Sequence, residues 1–557
     1  MRNYGVFLDE DALVNAKGVE LTNFAVRKET VFFAAENNST PEMMRIEVLH
    51  LGQRHTVDLD LHDPKLFQQI QRAIPTCKIL KSGICATIEA YILELQKESQ
   101  PRPTPLYFRQ HGVCRLANGE YVFVAGDEVL GPPPEQKWAI SLAVSRAHLA
   151  YSKELSCAQA VKAMWKILER DGDVVLPIWG FTLMSSVRSQ MSQVDITTYP
   201  ALLVTGKQSY GKSTVCERFG LLFNDTTDTK HGKQLWAGRD MGSTPASTIE
   251  AISQYRDQVA VMDDRPKSIS SAEMLKRTVV MAQALRFACN DTISSKFDQT
   301  GEMALRSCTC GAMFTSEFDL DNPSDIGRTI TVRIRQEMQG GDPHDRTVAA
   351  TTFRYFLLWL LPKLDTAIAD LKEHLRSIQG ASQRLAKNRM MILWALCLFI
   401  DFVRESGALA DQDLDSMYTR AEKILDDILD DEIEQIARLE NAKNISYYLL
   451  EGIRTGAIEK ISRKKVQKDE ELPPYYYVHL KNEDSVIYIS TEVLCRYLTN
   501  HTPLQFSSEK AMDKKLYEEN IIERGPDGRA ASKRIDNKRY LRIRHADLVA
   551  ATSKVSS

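Results

Sequence analysis

The residues best suited to chemistry lie in one run, Gly206-Lys207-Gln208-Ser209-Tyr210-Gly211-Lys212-Ser213-Thr214, which fits the spacing G-x-x-x-x-G-K-[ST]. Glycines at 206 and 211 let a short loop wrap an anion with its backbone N–H groups turned inward. A helix beginning at Lys212 would aim its positive end at the same anion. Lys212 is long enough to reach the β- and γ-phosphates of a nucleotide, and the Ser213 hydroxyl can hold Mg²⁺. A glycine turn before an ordinary helix is the competing reading. The apolar run over 201–205, suited to a buried strand, weakens it, because strand, loop and helix then follow in the order the chemistry requires.

A second set of groups falls downstream. The run Gln258-Val-Ala-Val-Met-Asp263-Asp264 is an apolar strand ending in two acids, and Asp263 lies 51 residues after Lys212. Such a strand puts carboxylates beside the phosphate loop, one to hold Mg²⁺ through water and one to orient an attacking water. We assign Asp263 to the metal and Asp264 to the water, and the two could be exchanged. The segment 292–302 reads as a hairpin with Lys296 and Phe297 near its tip, a pairing that can grip phosphate and stack on bases; a surface turn is the alternative. The strand over 307–317 ends in Thr315 and Ser316, either of which could sense a γ-phosphate. Arg328 starts a further strand, where a cation delivered across a subunit interface would be needed.

The elements that must hold these groups read as an α/β chain in five segments. Residues 1–104 mix strands and helices, with strands at 31–35 and 45–51 and helices at 65–74 and 86–95. Gln100-Pro-Arg-Pro-Thr-Pro105 reads as a linker. Residues 105–198 open with a hairpin over 107–131 that turns at Asn118-Gly119, and continue from Trp138 as a largely helical collar. The core at 199–340 carries the chemistry, and 341–456 is a helical lid. In the lid, Arg384 or Arg389 could reach a nucleotide, and Asp426, Asp427, Asp430, Asp431 and Glu434 form an acidic, solvated face. The last segment, 457–557, reads helix, helix, hairpin: helices at 490–498 and 509–520, a first strand from Ile521 and a return from Lys538. That is the order of a winged helix. Seven basic residues and one acid lie between Arg529 and Arg544, with Tyr540 among them. Lys533, Arg534, Lys538, Arg539 and Arg542 are its candidate contacts to DNA.

Composition sets the outer limits. The chain has 557 residues, 43% of them hydrophobic and 26% charged, with a net charge of −3. A soluble chain of this length suggests about three or four domains, and binding to nucleic acid must come from local basic surfaces. The most apolar stretch, 390–403, is broken by Asp401 and is too short to span a bilayer, so no membrane association is expected. The first residues do not read as a signal peptide. The ten cysteines form no C-x-x-C pair; Cys308 and Cys310 would face one way on a strand and read as core. These features indicate a reduced, cytoplasmic chain without structural zinc.

Taken together, the motifs resemble those of superfamily 3-like, AAA+ helicases carried by bacterial mobile elements and prophages, among them the minichromosome-maintenance-like helicases of staphylococcal cassette chromosomes. The matching pieces are GKQSYGKST at 206–214, VAVMDD at 259–264, the hairpin near Lys296, GAMFTSE at 311–317 and DIGRTITV at 325–332. YFRQHGVCRLANGEYVFVAGDEVLG upstream is similar as well. The resemblance is good over 105–340 and looser at either end. It implies a P-loop AAA+ core, a homohexameric ring that hydrolyses ATP with Mg²⁺, translocation on single-stranded DNA, and Arg328 acting in trans. With no primase zinc motif in the chain, a separate primase is expected. The family usually has Asn at the sensor position, where this chain has Thr315 or Ser316. Two other classes fit the phosphate loop: an initiator or helicase loader that oligomerises on DNA without unwinding, and a small-molecule kinase. The basic C-terminal segment and Arg328 argue against the kinase.

Overall fold

Short apolar runs at 201–204, 259–262 and 312–314 fall in a four-stranded parallel sheet. Its strands are β1 (Ala201–Gly206), β2 (Arg256–Met262), β3 (Thr309–Ser316) and β4 (Thr329–Ile334), in the order β2-β3-β1-β4. Strands covered on both faces read as unbroken hydrophobic runs, and five successive residues of β1 are buried. The register pairs Leu202 with Met313 and Thr205 with Ser316 on one side of β1, and Ala201 with Thr329 and Gly206 with Ile334 on the other. All four strands therefore end at one edge. The computed structural model describes residues 5–97, 103–132, 134, 136–141, 147–225, 245–253, 255–262, 271–290, 294–297, 303–338, 342, 344–380, 382–441, 444–467, 472–480, 486–502, 504, 506, 508–522, 532–535 and 538–548.

The chain divides into two compact units, the first comprising Met1–Asp319, Arg328–Ile378 and Ala386–Asp426, the second Leu320–Gly327, Gln379–Leu385 and Asp427–Ser557. After a hairpin of Val6–Asp9 and Ala12–Asn15, the first unit forms a five-stranded sheet in the order Trp138–Ile140, Leu106–Phe108, Ala25–Ala34, Pro41–His50, Gln53–Asp60. Helices Leu66–Ala73 and Cys85–Glu94 bury Leu66, Phe67, Ile70, Ile88 and Ile92 against it. This sheet takes strands from both sides of the proline-rich segment at 100–105. Trp138–Ile140 pairs in parallel with Leu106–Phe108, so the expected helical start at Trp138 is corrected. Backbone hydrogen bonds from Leu106 N to Lys137 O (2.8 Å) and from Ser141 N to Phe108 O (2.9 Å) hold it extended. The long helix of this region, α1 (Cys157–Ser185), starts instead at Ser156, where Ser156 and Gln159 make a capping box. The hairpin over 107–131 is a three-stranded meander: Gly112–Arg115, Tyr121–Ala125 and Glu128–Leu130, turning at Asn118-Gly119.

Helices α2 (Lys212–Phe219), α3 (Ser271–Cys289) and α4 (Asp345–Leu360) complete the surroundings of the parallel sheet. α1 bends at Asp171, whose backbone leaves the helical region (φ −120°, ψ 21°).

The second unit is built on a five-stranded sheet ordered Glu459–Ser462, Tyr476–His479, Val486–Ile489, Lys538–Arg544, Ser532–Ile535, with helices Ile445–Arg454, Thr491–His501 and Glu509–Glu518. Its terminal hairpin opens at Ser532, not at Ile521 as the sequence suggested. Ile521 and Ile522 sit in the core of this unit, with Met512, Leu516 and Tyr540; their apolar pair reads like a strand but serves as packing. Among the described residues, no helix is long and apolar enough to cross a membrane.

Candidate nucleotide-binding site

β1 leaves the sheet at Gly206 and the chain re-enters a helix at Lys212, so residues 206–211 form a tight loop at the carboxyl edge. Two backbone requirements shape it. A Cβ at Gly206 would lie 2.8 Å from the carbonyl oxygen of Ile334, so only glycine lets β1 run this close to β4. Ser209 and Gly211 take positive φ (65° and 90°), turning the chain so that Gly211 becomes the N-cap of α2. Gly211 brings no capping side chain, and the amino end of α2 faces the loop with its dipole. The Lys212 ammonium lies over the loop, donating to the carbonyls of Gly206 (3.0 Å) and Lys207 (2.9 Å). Lys207, Gln208, Ser209, Ser213 and Thr214 are exposed, as residues that meet a ligand must be.

A cavity opens on each side of this loop. The larger, of about 320 Å³, is lined by Thr205, Gly206, Lys207, Tyr210, Glu317, Asp319, Arg333, Ile334 and Arg335. The smaller, of about 180 Å³, is lined among others by Ser209, Gly211, Thr214, Arg218 and Met338, with Arg170 and Asp171 from the bend in α1 and Asp345 from the start of α4. In it, buried Asp345 accepts from Arg170 at 3.2 Å and stands 3.9 Å from Arg218, while Arg170 also binds Asp171 at 2.7 Å. The loop thus separates two cavities that share no lining residue.

The other sequence-derived residues fall as follows. Thr315 and Ser316 end β3 beside β1, both buried, and adjacent strand residues face opposite sides of the sheet. The Ser316 hydroxyl accepts from Phe318 N (3.0 Å), capping its own turn. From this strand end, Glu317 and Asp319 reach the larger cavity. β2 ends at Met262 on the same edge; Asp263 and Asp264 lie outside the described residues. Lys296 and Phe297 fall on strand Ser294–Phe297, which pairs with Met303–Arg306 in antiparallel fashion, while residues 298–302 lie outside the described residues. Arg328 precedes β4 at the opposite, amino edge of the sheet, where its carbonyl accepts from Ala201 N (2.9 Å) and Cys289 Sγ (3.4 Å). On helix Gln383–Ser406, Arg389 binds Asp426 of helix Asp411–Asn441 at 2.6 Å, so this part of the acidic face holds an arginine.

At the C-terminal hairpin the register pairs Lys533 with Tyr540 and Arg534 with Arg539. Paired residues share a face, so Lys533, Lys538 and Arg542 lie on one side and Arg534 and Arg539 on the other. Tyr540, read from the sequence as an aromatic among the basic residues, is fully buried, and Lys533 Nζ lies 5.4 Å from the ring of Tyr488. Arg529 lies outside the described residues.

Sequence reading missed Arg170, Arg218 and Asp345, which lie far apart in the chain and carry no local signal. It also passed over Glu317, Asp319, Arg333 and Arg335. Here a signal existed: an arginine inside Thr329-Ile-Thr-Val-Arg-Ile, at the carboxyl end of a parallel strand, where such sheets bind ligands.

No family model matches the sequence, and none of the curated proteins does. Among solved structures, the chain is similar over 99% of its length to 99% of a chain described as the active helicase Cch of SCCmec type IV, with 13% identity and a TM-score of 0.52. A second, the apo A form of the NrS-1 C-terminal region, matches 93% of this chain and 96% of its own at 10% identity and a TM-score of 0.32. The first likeness is one of fold, a mixed α/β architecture shared along the whole chain.

Proposed function

We propose that this chain is an ATP-dependent DNA helicase of a mobile element or prophage, working as a homohexameric ring that translocates on single-stranded DNA. The observation that carries the reading is the loop of residues 206–213, set between a buried parallel strand and a helix amino end at the carboxyl edge of the sheet, with a cavity on each side. The shared fold with a solved helicase supports it.

In this reading the 206–211 loop, the amino end of α2 and Lys212 bind the phosphates, and the smaller cavity takes the base. The Ser213 hydroxyl is a hard oxygen donor in the first turn of α2 and fits Mg²⁺, with Asp263 as its partner ligand. When bound, the ion neutralises charge on the β- and γ-phosphates. Asp264 orients the attacking water, Thr315 or Ser316 senses the terminal phosphate, and Arg328 serves the site of a neighbouring subunit. Lys296 and Phe297 grip the strand in a central pore. The helix, helix, hairpin order of the second unit fits a winged helix, with Lys533, Arg534, Lys538, Arg539 and Arg542 against duplex or fork DNA. A separate primase would supply primers.

Strand displacement on a forked DNA with ATP and Mg²⁺, comparing the wild type with Lys212→Ala, tests the reading. Unwinding by the wild type that vanishes in the variant is the expected result. DNA-stimulated ATP hydrolysis without unwinding would replace the helicase with an initiator or loader, and absence of any response to DNA would remove both.

A further inference from the structure

We propose that Arg333 is an additional contact to the terminal phosphate of a nucleoside triphosphate, made in cis and positioned by Asp319; this rests on the reading of the 206–213 loop as a nucleotide site. Three strands meet at this point. Thr205 ends the apolar part of β1, Asp319 follows β3, and Arg333 lies near the end of β4, paired in register with Thr205. Thr205 Oγ1 donates to Asp319 Oδ1 (3.3 Å), and Arg333 Nε donates to Asp319 Oδ2 (3.3 Å). The carboxylate thereby ties the root of the phosphate loop to the guanidinium.

Burial and chemistry point to an anion. The Arg333 side chain is 21% exposed and Asp319 45%. Arg333 stands in a strand whose neighbours Ile330, Thr331, Val332 and Ile334 are all buried. A surface arginine at the end of such a strand would turn to solvent; this one turns into the cavity that also holds Lys207 and Tyr210 of the loop, with Arg335 beside it. A guanidinium held through Nε is fixed in orientation, and its planar fork suits phosphate oxygens. The layout selects which phosphate. Thr214, Val215 and Arg218 line the smaller cavity on the far side of the loop. A nucleotide with its base there and its phosphates across the loop places the last phosphate on the Arg333 side. A diphosphate ends short of it.

The test uses the full chain with Mg²⁺, titrated with fluorescent N-methylanthraniloyl derivatives of ADP and of the slowly hydrolysed ATPγS. Arg333→Ala and Arg333→Gln should weaken the triphosphate roughly 10- to 100-fold, the range for a lost charge-assisted hydrogen bond, with less than about twofold change for ADP. Arg333→Lys should restore part of the difference. Asp319→Asn, at a more exposed position and so less able to disturb folding, should shift the same ratio in the same direction by less. Equal weakening of both nucleotides, or unchanged affinity for both, overturns the proposal while leaving the nucleotide site in place. A wild type that binds neither nucleotide overturns the site itself, and the proposal with it.

Discussion

Gly206 is the residue where the loop and the sheet claim the same space. An alanine there would press on the carbonyl oxygen of Ile334 at 2.8 Å, and that oxygen belongs to the strand carrying Arg333. Gly206→Ala should destabilise the chain by about 1–3 kcal/mol, as overpacking does, and should weaken nucleotide binding at the same time. Gly211→Ala differs in kind. Its Cβ would meet only Met338 at 3.5 Å, but φ is 90°, so the cost is the roughly 1–2 kcal/mol of a left-handed backbone. Urea midpoints and a fluorescent-nucleotide titration on both variants separate the two. A Gly206→Ala chain as stable as the wild type would mean that β4 yields freely, against the tight register. The two glycines were legible in the sequence because G-x-x-x-x-G-K-[ST] is a local pattern of spacing. Asp319 and Arg333 were not, because their relation to Thr205 exists only once parallel strands more than a hundred residues apart are laid side by side. Tyr540 failed for a related reason: its basic neighbours suggested a surface, and the packing of its unit takes the ring into the core.

At the scale of elements, the amino edge of the parallel sheet is pinned by one buried acid. Asp257, near the start of β2, accepts from Val113 N (2.9 Å), Ser189 N (2.7 Å) and Ser189 Oγ (2.6 Å). It joins the meander at Gly112–Arg115 and the short helix Arg188–Gln193 to the sheet. His111 completes the junction, bonding Arg256 O through Nδ1 (3.0 Å) with its ring edge-on to Phe123 and Phe223. Burial pulls the His111 pKa down from 6.5 to about 4. The folded chain therefore resists a proton that the unfolded chain accepts, and stability is lost as pH falls below 6.5 towards 4. By pH 5.5 the loss from this group is about 1.4 kcal/mol. Burial also raises the pKa of Asp257, with the opposite sign: its contribution is present at low pH and lost as pH rises through the folded pKa. Urea midpoints of the wild type and His111→Gln at pH 7.5 and 5.5 isolate the histidine, since Asp257 is common to both. The wild type should lose about 1.4 kcal/mol more than the variant, and parallel losses would remove His111 as the cause. Elements with strong local periodicity, such as the helix Leu66–Ala73, were legible in the sequence. Trp138–Ile140 was not, because a three-residue strand owes its state to pairing with Leu106–Phe108 rather than to its own residues.

For the whole molecule, the position of Arg328 sets a constraint that a single chain cannot meet. The register puts Ala201 beside Thr329 and Gly206 beside Ile334, so Arg328 and the 206–211 loop occupy opposite edges of one sheet. They are separated by a six-residue strand, roughly 17–20 Å at the usual rise. That exceeds the reach of an arginine side chain, so Arg328 can serve a nucleotide only if a neighbouring copy presents its amino edge to this chain's carboxyl edge. Such a contact is heterologous, and a heterologous contact that closes makes a ring. The consequence is measurable by mixing. Lys212→Ala removes the lysine that the proposed site uses to hold phosphate and keeps Arg328; Arg328→Ala does the reverse, and each alone should be nearly inactive in ATP hydrolysis. Co-assembled at equal amounts, about a quarter of the head-to-tail interfaces would join an intact loop to an intact arginine, so part of the activity should return. The recovery should peak near equal mixing and fall on either side, because each working interface needs one subunit of each kind. Activity that stays at the level of the separate variants at every ratio would count against action of Arg328 in trans.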